Sequence, residues 1–279
     1  ERVALICYFV IFPRHRKALN ANLAHVLRSN DKRYVDAVAR RAFRNFGKFV
    51  VDFIHYPVLT RDEVHRRVRF DQWDELNALR DSHEGIVIAT MHFGSWDLGA
   101  AALAAYDFRV NAIAETFHYP PMNDLVQGSR MKLGMKVIGR EHVGAGVFRA
   151  LRRGEMLAML IDVPEKEFGI YVDFFGAPAF VSSAPARVAL RTKSWVMPAI
   201  VIRGPEDDTI IRPIIDTSLR DFAPTGDEDA DVRELTRLTL RALESKVREH
   251  ADQWFIFRRM WGQPGARLPV RGGELAEGV

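Results

Sequence analysis

His92 and Asp97 are the residues whose types and spacing are best suited to chemistry. His92 ends a run of apolar and small residues that starts at Gly85, and Asp97 follows it after a glycine turn at Gly94. On one continuous helix, residues five apart point about 140° away from each other. If a strand ends at His92 and a helix begins after Gly94, Asp97 can accept a hydrogen bond from one imidazole nitrogen. A histidine held in this way is suited to act as a general base toward a hydroxyl or an amine.

The same spacing also fits a purely structural role for both residues. Asp97 in the first turn of a helix would complement the helix dipole, and Ser95 would be its N-cap. His92 would then be a core residue with satisfied hydrogen bonds. A serine-hydrolase elbow is not indicated, because the sequence reads "GSW" and lacks the spacing G-x-S-x-G. A zinc site is weakly indicated, since no second histidine stands at ligand spacing.

The elements that must position these residues follow an α/β pattern. Helical periodicity dominates the first eighty residues, and from Gly85 onward short apolar runs alternate with segments of helical length. The runs predicted as strands are "GIVIATMH", "FRVNAIAE", "MKVIG", "EMLAMLID", "YVDFFG", "SWVMPAIVI" and "DTIIRPII". The sequence therefore predicts an α/β domain over residues 81–279, with a mostly parallel central sheet flanked by helices, and an N-terminal helical extension over residues 1–80.

Composition excludes several classes of protein. The 279 residues are 48% hydrophobic and 27% charged, which is typical of a globular chain. The net charge of +4 comes from well-mixed charges, so nucleic acid is not expected as a partner. One cysteine, Cys7, excludes a disulfide framework within the chain. The run "VALICYFVIF" is too short to span a bilayer, but with Arg14, Arg16 and Lys17 behind it the segment resembles a membrane-facing element.

Several blocks of the sequence, in order, resemble the bacterial lysophospholipid acyltransferase superfamily. "HFGSWD" looks like the H-x4-D box of the glycerolipid and lipid A type acyltransferases. "DQWFIFRRMW" is similar to the C-terminal signature of the branch that contains lipid A (lauroyl/myristoyl) and phosphatidylinositol mannoside acyltransferases. The other matching blocks are "FRNFGKFVVDF", "YPPMNDLVQGSRMKLGMKVI", "GVFRALRRGEMLAMLID", "GIYVDFFGAPAF" and "APARVALRTKSWVMP". The resemblance covers nearly the whole chain and implies a glycerolipid acyltransferase-like fold.

The resemblance implies transfer of an acyl chain from a thioester, on acyl carrier protein or coenzyme A, to a hydroxyl of a membrane glycolipid or phospholipid. His92 would take the acceptor proton, and Asp97 would hold His92. Amides near Gly94 and at the following helix N-terminus are candidate donors to the tetrahedral oxyanion. No cofactor is implied beyond the acyl donor, and no metal. The residues expected to bind substrate are Arg130, Gly94, Trp96, Phe174, Phe175 and Gly176.

A lipid acceptor implies contact with an anionic membrane surface, and the resemblance places the protein at the cytoplasmic face of the bacterial inner membrane, peripheral or singly anchored. One departure concerns the acceptor: mannoside-acylating relatives have a glutamate just before "VDFFG", where this chain has Tyr171. Two other functions stay open. One is a metal-dependent hydrolase with His92, Asp97, Asp162 and Glu165 as ligands, and the other is a non-catalytic lipid-binding protein.

Overall fold

The computed structural model describes residues 6, 12–113, 120–139 and 143–262. It has an α/β architecture in which helices cover a mostly parallel sheet of six strands, as the sequence predicts. Most of the N-terminal apolar run, including Cys7, lies outside the described residues.

Helices form most of the first eighty residues. Asp31 begins the longest of these N-terminal helices by accepting hydrogen bonds from the amides of Arg33 and Tyr34, and Thr60 caps the next one through the amide of Glu63. The helices are α1 (Pro13–Leu27), α2 (Lys32–His55), α3 (Arg61–Arg67) and α4 (Trp73–Ser82), with a 3-10 turn at Tyr56–Val58. Leu19, Leu23 and Val38 belong to the same core cluster as Met91 and Phe93, which follow the first strand of the sheet.

The strands of the central sheet are β1 (Ile86–Thr90), β2 (Val110–Ile113), β3 (Lys136–Ile138), β4 (Met156–Leu160), β7 (Trp195–Arg203) and β8 (Ile211–Ile215). Their order across the sheet is β3-β2-β4-β1-β7-β8. All pairings in this sheet are parallel except that of β8, which runs antiparallel to β7 at one edge. All residues of β1 and β7 are buried, which explains their unbroken apolar sequences.

Helices connect and cover the strands. Asp227 caps the last and longest of them by accepting a hydrogen bond from the amide of Ala230, and acidic residues fill its first turn, as predicted. These helices are α5 (Trp96–Ala105), α6 (Pro120–Lys132), α7 (Val143–Arg152), α8 (Ala184–Thr192) and α9 (Glu228–Glu249). No helix in the described part of the chain is long and apolar enough to cross a membrane.

The segment "YVDFFG" departs from the prediction, because it does not join the parallel sheet. It forms β5 (Gly169–Phe174), which pairs with β6 (Ala177–Ser182) in a separate antiparallel hairpin. Only Phe175 and Gly176 separate the two strands, both with positive φ. Since a parallel pairing requires a crossover of a dozen or more residues, a two-residue link leaves only the antiparallel arrangement.

Candidate active site

His92 lies just beyond the carboxyl end of β1, beside Asp162 at the end of β4. The two strands are parallel neighbours in which Thr90 is paired with Leu160. His92 and Asp162 each follow their strand by two residues, so the register brings them together. The His92 Nδ1 atom lies 2.8 Å from Asp162 Oδ1, and the His92 amide donates to Asp162 Oδ2 at 3.0 Å.

Asp162 is completely buried and is held from three directions. Besides the two hydrogen bonds with His92, the Trp254 indole Nε1–H donates to Asp162 Oδ2 at 3.1 Å. Burial by itself raises the pKa of the Asp162 carboxyl, but the charge of His92 and these hydrogen bonds outweigh it and lower the pKa below its ordinary value. Asp162 is therefore an ionised acceptor, and the proton of the shared hydrogen bond resides on Nδ1 of His92.

The predicted hydrogen bond between His92 and Asp97 is replaced by a different pairing. Asp97 lies in the first turn of α5, and its Oδ1 atom is 2.8 Å from Nη2 of Arg130 on α6. The Arg130 guanidinium also donates to Gln127 Oε1 at 3.2 Å. In the H-x4-D motif, the Asp97 carboxylate therefore pairs with Arg130, because the turn directs Asp97 toward α6 and not toward the His92 imidazole.

The turn at Gly94 has the tight geometry that the sequence predicts. Gly94 has a φ of +55°, and a Cβ atom there would lie 1.8 Å from the carbonyl oxygen of Val201. Its amide donates to the carbonyl of Gln253 at 2.8 Å, so it is not available to an oxyanion, contrary to the prediction. The amides of residues 96–98 have no acceptor within α5 because they belong to its first turn. They remain the candidate oxyanion donors.

Ser95 occupies the N-cap position of α5, but its side chain does not cap the helix. Its hydroxyl donates to Asp52 Oδ2 on α2 at 3.1 Å. Asp52 also binds Arg67 and Arg203, each at 2.5 Å. Burial raises the pKa of the Asp52 carboxyl, but the two arginines outweigh burial and lower this pKa below its ordinary value. This network fixes the turn that carries the histidine motif to α2, α3 and β7.

Trp96 joins the histidine to the N-terminal helices. Its ring lies 5.0 Å from the His92 ring in an edge-on arrangement and stacks on Phe49 of α2 at 4.0 Å. The predicted substrate-binding residue therefore forms one side of the histidine environment.

A cavity of about 810 Å³ opens at His92. Trp96, Asp97 and Arg130 line it beside the histidine, whose side chain is 27% exposed. One part of the cavity extends between α5 and the sheet, where the lining is apolar or small. The residues along this part include Ile88, Thr90, Gly99, Ala100, Leu103, Met197, Ala199 and Ile215.

Phe174, Phe175 and Gly176 lie at the turn of the hairpin formed by β5 and β6. Phe174 and Phe175 are buried in the core, and the three residues are absent from the described lining of the histidine cavity. The Phe174 ring is edge-on to Trp254 at 6.0 Å and stacks on Trp261 at 5.8 Å. Phe174 thus packs against the tryptophan that binds Asp162. Tyr171, at the position that departs from the mannoside-acylating pattern, packs against Phe180 with ring centroids 5.0 Å apart.

The four residues considered as metal ligands do not converge. Among the described residues, no group of three or more His, Cys, Asp or Glu side chains is arranged to hold a metal ion. His92 and Asp162 bond to each other, while Asp97 pairs with Arg130. His92 with Asp162 and Asp97 with Arg130 thus form two separate pairs.

Sequence reasoning did not assign roles to Trp254 and Arg258. Trp254 binds the Asp162 carboxylate, and Arg258 Nη2 donates to the carbonyl oxygens of Asp162 at 2.6 Å and of Phe180 at 2.7 Å. Both belong to the C-terminal segment "DQWFIFRRMW". The signal that could have found the histidine partner is Asp162 itself, a carboxylate at the end of a strongly apolar strand run.

Comparisons with known proteins identify the family of the chain. Residues 4–263 match the family model described as bacterial lipid A biosynthesis acyltransferase. The chain is 22% identical over 259 residues to the phosphatidylinositol mannoside acyltransferase of Mycobacterium tuberculosis (strain ATCC 25618 / H37Rv), covering 90% of this chain and 79% of the relative. It is 20% identical over 248 residues to the protein of the same name from Mycolicibacterium smegmatis, covering 87% and 78%. The chain therefore belongs to the bacterial lipid A biosynthesis acyltransferase family.

Proposed function

We propose that the protein transfers a fatty acyl chain from an acyl thioester, carried by acyl carrier protein or coenzyme A, to a hydroxyl of a membrane glycolipid or phospholipid. The observation that carries this proposal is the hydrogen bond of 2.8 Å between the buried Asp162 and Nδ1 of His92, which lines a largely apolar cavity. When a carboxylate holds one imidazole nitrogen in this way, general base catalysis uses the other nitrogen, Nε2.

The proposed reaction needs only proton transfer and charge stabilisation from the protein. His92 Nε2 takes the proton of the acceptor hydroxyl as its oxygen attacks the thioester carbonyl, and the resulting imidazolium is stabilised by Asp162. The first-turn amides of α5 donate to the tetrahedral oxyanion. When the carbon–sulfur bond breaks, the proton of the imidazolium passes to the thiolate, which leaves as the free thiol of the donor.

The part of the cavity under α5 suits the acyl chain. Its lining of Ile88, Gly99, Ala100 and Leu103 offers apolar contact without charged groups along the sheet side. A Cβ atom on Gly99 would approach Val201 Cγ2 to 2.4 Å, so glycine lets α5 lie close to β7 at this point. We assign this part of the cavity to the fatty acyl group of the donor.

Arg130 and Asp97 act as a pair in this proposal. Arg130 lines the cavity with its guanidinium held by Asp97, and its side chain is 15% exposed. We assign Arg130 to an anionic group of the donor or the acceptor, with Asp97 as the residue that orients it. Asp97 thus contributes to substrate binding rather than to activation of the histidine.

The relatives are named for phosphatidylinositol mannoside, and a glycolipid of this general type is our proposed acceptor. Tyr171 precedes "VDFFG" in this chain, where the mannoside-acylating relatives have a glutamate. We therefore expect the sugar portion of the acceptor to differ from theirs. A lipid acceptor places the protein peripherally at an anionic membrane surface, for which we propose the cytoplasmic face of the bacterial inner membrane.

Product analysis tests this function directly. The purified protein would be incubated with acyl-coenzyme A or acyl carrier protein thioesters and a panel of glycolipids and lysolipids, and the acylated lipid measured by mass spectrometry. His92→Ala should slow product formation at least about a hundredfold, because general base catalysis contributes that much or more. The matched control His83→Asn, at an exposed residue whose φ of +54° asparagine tolerates, should leave the rate unchanged.

Three results would contradict the proposal. One is His92→Ala at the wild-type rate. A second is free fatty acid as the product, formed only without chelator, which would favour the metal-dependent hydrolase. The third is acyl-lipid binding without any turnover, which would favour a lipid-binding protein.

A further inference from the structure

The C-terminal half of α2 presents apolar side chains to solvent. Val51, Ile54 and Val58 are 66%, 72% and 62% exposed, and Val58 lies in the 3-10 turn that directly continues the helix. Their spacing of three and four residues places them along one face of the helix. Three large aliphatic side chains exposed to this degree in a row mark a surface that contacts another apolar phase.

Cations precede these residues on the same face. At 100° per residue, Arg44 and Lys48 point within about 20° and 60° of the direction of Val51. The Lys48 side chain is 26% exposed and pairs with Asp208 at 2.6 Å, and Arg44 has a buried Nε atom without a hydrogen-bond partner among the described residues. The face therefore changes along the helix axis from cationic to apolar.

A groove runs beside this face. It has a volume of about 900 Å³, and Arg44, Lys48 and Val51 border it together with the aromatic side chains of Phe12 and Phe46. The charged side chains that line the groove are four cations, Arg44, Lys48, Arg67 and Arg203, and two carboxylates, Asp52 and Asp208, so they carry a net positive charge. Aromatic and aliphatic groups beside net positive charge suit the boundary between lipid headgroups and acyl chains.

The opposite side of the same helix contacts the candidate active site. Phe49 stacks on Trp96 at 4.0 Å, and the Trp96 ring lies 5.0 Å from the His92 ring. Since a helix with its side chains is about 10 to 12 Å thick, the outward face lies about one helix diameter from the histidine environment.

We infer that the α2 docking face, defined as Arg44, Lys48, Val51, Ile54 and Val58, binds the surface of an anionic lipid bilayer. The apolar residues enter the boundary between headgroups and acyl chains, and the two cations meet lipid phosphates. The charge pattern favours this occupant over a second copy of the chain, because a copy would bring the same cations to the interface. The link to a lipid acceptor rests on the proposed function, whereas bilayer binding itself does not.

Vesicle sedimentation tests the inference without turnover. The full chain would be mixed with vesicles of phosphatidylcholine alone or with phosphatidylglycerol added, in the absence of donor and acceptor. Ile54→Glu with Val58→Glu should lower the affinity for anionic vesicles more than tenfold. Arg44→Gln should lower it about fivefold and reduce its dependence on salt.

Tyr34→Glu is the matched control. Tyr34 is 48% exposed on the same helix, 20 residues or about 30 Å from Ile54, so it should leave vesicle binding unchanged. An assay with a detergent-dispersed acceptor separates bilayer binding from the proposed function. The variant with Ile54→Glu and Val58→Glu should acylate this acceptor at the wild-type rate although its binding to vesicles is weakened.

Three outcomes would overturn the inference. The first is failure of the wild-type protein to bind anionic vesicles. The second is equal loss of binding in the double variant and in Tyr34→Glu. The third is a wild-type dimer in light scattering that the double variant converts to monomer, which would assign the face to a second copy of the chain.

Discussion

At the residue scale, Asp162 receives hydrogen bonds on both of its oxygen atoms inside the core. His92 Nδ1 binds one oxygen, and the other accepts from the His92 amide and from the Trp254 indole. A buried carboxylate with these donors is stable as an anion, which is the state that holds the imidazole in one tautomer. Trp254 and Phe174 therefore support the histidine without touching the cavity.

Trp254→Phe tests this account through the pH dependence of stability. The folded pKa of Asp162 is lowered, so its ionised form stabilises the protein above the ordinary carboxyl pKa, and that contribution is lost as the pH falls through the folded value. Removing the indole donor should raise the folded pKa. Trp254→Phe should lower the unfolding free energy by about 1.5 to 3 kcal/mol near pH 7. The difference from the wild type should become smaller as the pH falls below about 4.

Trp261→Phe is the control for this measurement. Its indole donates to the neutral carbonyl of Phe174 at 3.0 Å, so the cost of its removal should not depend on pH. Urea unfolding of both variants at each pH provides the comparison. A loss of stability in Trp254→Phe that is equal near pH 7 and below pH 4 would show that the indole does not stabilise the charged form of Asp162.

At the element scale, ion pairs join the N-terminal helices to the sheet beside the active site. Asp52 on α2 binds Arg203 on β7 and Arg67 on α3, and Ser95 before α5 donates to the same carboxylate. The Asp52 side chain is only 12% exposed and that of Arg203 6%. The helices that the sequence treats as an extension thus fix the turn that carries His92.

Asp52→Ala should destabilise the protein by about 3 to 5 kcal/mol, because it leaves the buried Arg203 guanidinium without its carboxylate partner. The matched control is Asp208→Ala, which removes an exposed partner of Lys48 and should cost less than about 1 kcal/mol. Urea denaturation gives both values. Equal costs for the two variants would mean that the network does not hold these elements together.

The elements themselves were largely predictable, whereas their side-chain pairings were not. Buried strands such as "SWVMPAIVI" have unbroken apolar sequences, and α9 has its acidic first turn, so local patterns suffice to identify them. Ser95 was correctly placed at an N-cap, but its hydroxyl binds Asp52, 43 residues away. Such a contact depends on how α2 packs, which no local pattern records.

The histidine motif also shows that local sequence patterns do not predict side-chain pairings. His92 was correctly placed at a strand end, yet its partner lies 70 residues away on the neighbouring strand rather than within the motif. Only the strand order and the register of Thr90 with Leu160 bring Asp162 to it. Phe174 and Phe175 are buried, and the sequence alone does not predict this, since aromatic residues at a strand end have the same sequence pattern in a core and in a pocket.

At the scale of the whole molecule, α2 separates two surfaces of different chemistry. On its inner side, Phe49 and Trp96 lead to His92 and the cavity of about 810 Å³. On its outer side lies the α2 docking face. This arrangement would place the histidine near a bilayer while the acyl chain is held between α5 and the sheet.

The central claim is that His92 and Asp162 act as one unit in acyl transfer, and a double-mutant cycle on kcat tests it most directly. Rates of acyl-lipid formation would be measured at saturating thioester for the wild type, His92→Ala, Asp162→Asn and the double variant, after circular dichroism confirms that each is folded. We predict that each single variant lowers kcat by about a hundredfold or more and that the double variant is no slower than His92→Ala. Asp162→Asn at the wild-type rate, or losses that multiply in the double variant, would contradict the account.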